Sequence, residues 1–388
     1  MFRRTILRTA IAAAGISLVS FGAAAQETIK IGLILPMTGP FASTGKQIAA
    51  AANLYVQQKG TSVAGKRVEI VLKDDTGVAD VTRRIAQELI VNDKVTAIAG
   101  FGLTPLALAT APLATQAKTP MVVMSAATSI ITERSPYIVR TAQVVPQIVV
   151  PFAEWSLKQG IKKVATLVTD YGPGHDVEKY YSDAFKAGGG TVENLRVPLA
   201  NPDFAPFLQR IADMKPEALL VFVPSGVGSQ FIKQFVERGM DKSGIRLIAT
   251  GDLTDDDILN PMGDVAVGLV TAHHYSAAHD SPENKAFVAA FKAANGGLRP
   301  NFMAVSGYDG MHALIEGLKK TNGQGGDALV NAMKGLSWVS PRGPMSIDPE
   351  TRDVVQNVYI RRVAKVDGEL YNVEFETIPN VKDPAKVK

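Results

Sequence analysis

The sequence predicts an α/β protein made of two doubly wound parallel-sheet lobes. Three observations carry that prediction. Short apolar runs alternate with longer stretches of helical spacing, the rhythm of a parallel sheet with helices on both faces. The rhythm restarts near residue 146, and the two halves open alike: Gly39-Pro40 follows the first strand of one, and Gly172-Pro173 follows the first strand of the other. No Gly/Ser-rich linker parts them. Two lobes without a tether imply that the chain passes between them more than once, which makes a hinge.

The elements follow in order. Residues 29–35 read as an apolar strand and 47–58 as an alanine-rich helix. Strand 67–73, helix 80–92, strand 95–99, helix 105–116 and strand 121–124 complete the first half. In the second half, helix 146–159 and strand 163–169 precede helix 175–187, which Gly188-Gly189-Gly190 stops. Strand 191–197, helix 204–214, strand 218–223, helix 228–238 and strand 246–250 continue the alternation. The last third differs: 282–294 and 304–321 are amphipathic helices, and 354–366 with 369–376 form a hairpin turning at Asp367-Gly368.

Composition narrows the function. Arg3, Arg4 and Arg8, the apolar stretch 11–21 and Ala23-Ala24-Ala25 form the three parts of a secretory signal peptide over residues 1–25. The apolar stretch falls short of the ~20 residues that a membrane-spanning helix needs. With no cysteine, the chain offers no thiol for a lipid at the cleavage site and no disulfide. The expectation is a free periplasmic monomer. The net charge is +4, and three of those charges are the leader arginines, so the remainder is near +1. That balance argues against nucleic acid.

In parallel sheets, ligands sit beyond the carboxyl ends of the strands. That rule selects the loops 37–46, 100–104, 125–129, 224–228 and 251–257, with Tyr171 at an equivalent place. Thr44, Thr104, Ser125 and Thr128 supply hydroxyls there. Several of these loops run into helices, whose N-termini favour anions, so a carboxylate could be held without an arginine. For any one of these residues, ordinary helix capping is the alternative. Asp252 follows strand 246–250, where its carboxylate could meet an ammonium group or cap a helix.

Other chemistry finds no support. Gly39 to Gln47 imitates a phosphate-binding loop, but five residues separate its glycines and Gln47 replaces the required hydroxyl. His273, His274 and His279 lack metal-ligand spacing. No nucleophile elbow and no dinucleotide glycine motif is present. The sequence therefore implies no enzyme, no metal and no cofactor.

At the selected loops the chain resembles the leucine/isoleucine/valine-binding family of periplasmic solute-binding proteins of ABC transporters. The resemblance runs along the whole chain after the leader. It rests on Ile29-Lys30-Ile31-Gly32 with Met37-Thr38-Gly39-Pro40, on Leu72-Lys73-Asp74-Asp75, and on Ser125-Ala126-Ala127-Thr128. Gly263-Asp264-Val265-Ala266-Val267-Gly268 and the stretch from Arg342 to Asp348 also fit.

The resemblance implies three crossovers, near 140–143, 273–275 and 344–348. The first lobe would then hold 26–141 with 275–345, and the second 142–274 with 346–388. It also implies site roles. Thr128 and Thr104 would grip a carboxylate, and the Ala126 carbonyl and Asp252 would take an ammonium. Tyr171 would come from the second lobe, and Ser225-Gly226 would replace an aromatic-containing loop. Thr44 stands where the family often has an aromatic residue, which would enlarge the pocket unless Phe101 fills it. The expected ligand is a branched-chain or hydrophobic amino acid delivered to a membrane permease. The alternatives are an aromatic carboxylate, benzoate- or phenylpropenoate-like, and a sensing module for a separate receptor.

Overall fold

The computed structural model describes residues 27–387. The expected signal peptide, residues 1–25, lies outside the described residues.

Two sheets organise the chain. The first contains β1 (Thr28–Leu35), β2 (Ser62–Val63), β3 (Lys66–Asp74), β4 (Ala97–Gly100), β5 (Met121–Val123) and β6 (Ile138–Arg140). Their order is β2-β3-β1-β4-β5-β6. All neighbours are parallel except the short edge strand β2. Central β1 pairs Ile31 with Ile70 on one side and with Ala97 on the other. Leu33, Ile34 and Leu35 are all buried, as expected for a strand covered on both faces. Truncating one of them to alanine would cost about 2–5 kcal/mol.

The second sheet contains β7 (Lys163–Thr169), β8 (Thr191–Val197), β9 (Ala218–Phe222), β10 (Arg246–Thr250) and β11 (Val270–His273). It is completed by β12 (Ser337–Ser340), β13 (Gly343–Ile347), β14 (Val354–Val366) and β15 (Glu369–Val381). The order is β12-β13-β14-β11-β10-β9-β7-β8, with β15 on β14. Strands β7 to β11 are parallel, but β14 joins β11 antiparallel and carries β13 and β15 antiparallel as well. The second sheet is thus mixed rather than wholly parallel. Its hairpin turns at Asp367 and Gly368, both with positive φ, the geometry a tight two-residue turn requires.

Helices Pro282–Ala294, Phe302–Lys320 and Gly326–Met333 pack into the core of the first sheet. Separate cores line the two faces of the second sheet. By sheet membership, the chain leaves the first lobe after Arg140, returns after His273, and leaves again between Met333 and Ser337. The last passage lies upstream of the expected 344–348, and β12 and β13 belong to the second sheet. Even so, Ile347 buries its side chain in the first-lobe core, so this strand touches both lobes.

Helix Ala42–Tyr55 starts five residues before the expected 47, inside the Gly/Ser/Thr stretch that reads as a loop. Gly45 explains the misreading. A Cβ there would lie 2.2 Å from the Pro36 carbonyl oxygen, so glycine permits close helix-to-strand packing rather than a turn.

Candidate ligand-binding cleft

The carboxyl ends of the parallel strands of both sheets line one narrow cleft, with about 410 Å³ of space that includes its opening to solvent. Thr44, Thr104, Ser125 and Ala126 of the first lobe line it, with Tyr171, Ser225 and Asp252 of the second. The lobes touch around it. Ser43 donates its hydroxyl across the cleft to Asp257, and the Ser129 N–H donates to Asp176 Oδ2 at 2.8 Å.

One wall is built to donate. Thr104 opens helix Thr104–Gln116, and its backbone N–H meets no acceptor among the described residues. Its Oγ1 lies 2.7 Å from Thr128 Oγ1. One hydroxyl proton is spent between the two, and the other remains available. A helix N-terminus with a free hydroxyl suits an anion. Ser125 is not a free donor, because its hydroxyl already donates to the Gly102 carbonyl at 2.8 Å.

The opposite wall is built to accept. Asp252 takes a hydrogen bond from Thr250 Oγ1 at 2.9 Å and lies 3.6 Å from His273 Nε2. His273 is fully enclosed, and burial pushes its imidazole down to about 4, against a smaller opposing effect of Asp252. His274 beside it is lowered too, first by burial and then by His273. Both histidines are structural, buried rather than solvated. Ser225 donates its hydroxyl to Asp255 at 2.6 Å and so offers the cleft an oxygen lone pair. Asp255 is itself raised well above the carboxylate range by burial and by neighbouring Asp257.

Between these walls the surface is aromatic. Tyr171 and Phe222 stack with centroids 6.0 Å apart and planes 17° from parallel. Enclosure, with Asp252 adding to it, holds the Tyr171 phenol well above its ordinary range. Phe41 and Met303 also line the cavity.

Three predicted site residues stand elsewhere. Phe101 does not line the cavity; its positive φ of 67° turns the ring into the first-lobe core, where it is fully buried. It cannot replace the missing aromatic at Thr44. Phe41, three residues earlier, lines the cavity instead. Thr128 lies outside the lining, with its hydroxyl between Thr104 and Gly172 of the second lobe, and Gly226 lies beside the Pro40 carbonyl, also outside the lining. Sequence reasoning missed Phe41, Gln143, Phe222 and Met303. Phe41 and Phe222 could have been found, since each adjoins a strand end already under suspicion. Gln143 and Met303 come from the hinge and a distant helix start, with no local signal.

The profile of the family described as periplasmic binding protein matches residues 28–369. The chain belongs to that family. Its relatives include a Leu/Ile/Val-binding protein homolog 6 of Brucella abortus (strain 2308), 43% identical over 97% of this chain and 98% of the relative. Among solved structures it is similar to a solute-binding protein of an ABC transporter from Rhodopseudomonas palustris BisB5, in complex with 3,4-dihydroxybenzoic acid. That match has 62% identity, covers 93% of this chain and 99% of the other, and has a TM-score of 0.91. A second, from Rhodopseudomonas palustris HaA2 with p-hydroxybenzoic acid, is 42% identical with the same coverage and a TM-score of 0.90. The protein is a periplasmic solute-binding protein of an ABC transporter, of the leucine/isoleucine/valine-binding type.

Proposed function

We propose that this protein captures a hydroxylated aromatic carboxylate of the hydroxybenzoate type and delivers it, as a monomer, to its permease. The observation that carries this reading is the division of the cleft. A donor wall at Thr104 faces an acceptor wall at Asp252, and stacked aromatic rings lie beside them. A benzoate carboxylate suits the first, the ring suits the middle, and a phenolic O–H donates to Asp252. An unsubstituted benzoate would leave that buried carboxylate without a ligand donor, an unfavourable state. The solute-binding relatives that hold dihydroxy- and p-hydroxybenzoic acid support the same class. The reading assigns no catalysis.

An amino acid is the second reading, and Asp252 favours it equally, because a carboxylate also suits an ammonium. The Ala126 carbonyl supports it less. It already accepts from the Arg140 guanidinium at 3.5 Å.

A thermal-shift panel tests the choice, because a ligand of the folded state raises the melting temperature. Hydroxybenzoates should raise it more than benzoate, and leucine should leave it unmoved. A shift by leucine or isoleucine alone would overturn the reading.

A further inference from the structure

The loop 126–129 sets its Thr128 hydroxyl against Thr104 at the proposed carboxylate grip, and three of its carbonyls meet one buried cation. Arg140 donates from Nη1 to the Thr128 oxygen at 2.6 Å and to the Ala126 oxygen at 3.5 Å, and from Nη2 to the Ser129 oxygen at 3.2 Å. Its side chain has no exposure, so it needs a buried anion. Asp353, after β13, supplies it: Nε donates to Asp353 Oδ1 at 2.7 Å.

Asp353 is in turn held by the segment that follows β15. Lys386 donates to Asp353 Oδ2 at 2.7 Å and to Thr132 Oγ1 at 2.7 Å. Asp383, three residues earlier, accepts the Ser129 hydroxyl. Two cations and two carboxylates therefore close around the loop, and Asp176 of the second lobe adds a third carboxylate on the Ser129 N–H. Burial raises the Asp176 and Asp383 carboxyls, with Arg140 opposing it in both.

We propose that the segment 382–387 is a clamp on the ligand-gripping loop: Lys386, through Asp353 and Arg140, and Asp383, through Ser129, are positioning residues that set ligand affinity. The segment comes from the last strand of the second sheet and grips a loop of the first lobe. The proposal rests on that loop gripping the ligand and not on which ligand it is. A grip held at its carbonyls keeps the loop's N–H groups and the Thr104–Thr128 pair in place before the ligand arrives, which lowers the ordering cost of binding.

Arg140 and Asp353 are too buried for a clean test, because removing either leaves an unpaired charge. Lys386→Met keeps most of the stem and removes the charge, and Lys386→Arg restores it. Two measurements on the full chain decide the question. Hydrogen exchange of the ligand-free protein should quicken roughly tenfold at amides 126–132 in Lys386→Met, with β9 and β10 unchanged and with Lys386→Arg close to wild type. Calorimetry with 4-hydroxybenzoate should show affinity reduced by about 3–30-fold in Lys386→Met and recovered in Lys386→Arg. Unchanged exchange at 126–132 overturns the clamp. Faster exchange with unchanged affinity overturns its role in binding. A wild type that ignores 4-hydroxybenzoate sinks the ligand reading instead, and the exchange measurement alone then decides whether the clamp stands.

Discussion

Thr104 Oγ1 and Thr128 Oγ1 lie 2.7 Å apart, and that contact joins a helix N-terminus to the loop after β5. The pair leaves one hydroxyl proton for a ligand, beside the unused N–H of Thr104. Thr104→Val keeps the shape and removes the hydroxyl. It should weaken every carboxylate ligand by about 10–100-fold, the range for a hydrogen bond to a charged group. Titration calorimetry of the variant with 4-hydroxybenzoate and with benzoate checks this, and both should suffer alike.

Gly172 sits across the cleft from that pair. A Cβ there would lie 2.7 Å from Thr128 Oγ1 and 3.2 Å from Thr104 Cγ2. The clash exists only when the lobes are closed. Gly172→Ala should therefore lower ligand affinity at least roughly tenfold while leaving the ligand-free melting temperature within about 2 °C of wild type. Small-angle scattering at saturating ligand should report a less compact particle than for wild type.

The buried His273 makes stability depend on pH. Its imidazole falls from 6.5 when free to about 4 in the fold. The unfolded chain thus binds the proton first as pH falls. The contribution is present above about pH 6.5 and is lost as pH drops toward about 4, a total of about 3 kcal/mol. The raised carboxyls of Asp255 and Asp256 act in the opposite sense, favouring the fold at low pH. The wild-type curve mixes the two, so the useful quantity is the difference from His273→Gln. Urea unfolding at about pH 7 and about pH 4.5 should show wild type losing more stability than the variant.

Much of the cleft was legible because the strand-end rule uses only the order of strands and loops. It led to Thr44, Thr104, Ser125, Tyr171 and Asp252, and the family resemblance added Ala126 and Ser225; all of these line the cavity. Phe101 failed for a local reason. An aromatic after Gly100 reads the same whether its backbone turns it to the cleft or to the core, and here a positive φ turns it inward. The antiparallel half of the second sheet was hidden for a different reason. Strand β11 meets β14 across about ninety residues, and periodicity carries no information on partners that far apart. The Arg140–Asp353 pair is more distant still, 213 residues apart in sequence. Helix Ala42–Tyr55 was cut short because Gly45 signals a turn in sequence but a close approach in the fold.

Calorimetry of wild type and Asp252→Asn with 4-hydroxybenzoate, benzoate and leucine tests the central claim most directly. Asp252 accepts from Thr250 and faces the cavity, so the substitution removes an acceptor and keeps the volume. Wild type should prefer 4-hydroxybenzoate to benzoate and should not bind leucine. The variant should lose about 1.5–3 kcal/mol for 4-hydroxybenzoate and nothing for benzoate. Tight leucine binding by wild type, abolished by Asp252→Asn, would contradict the account.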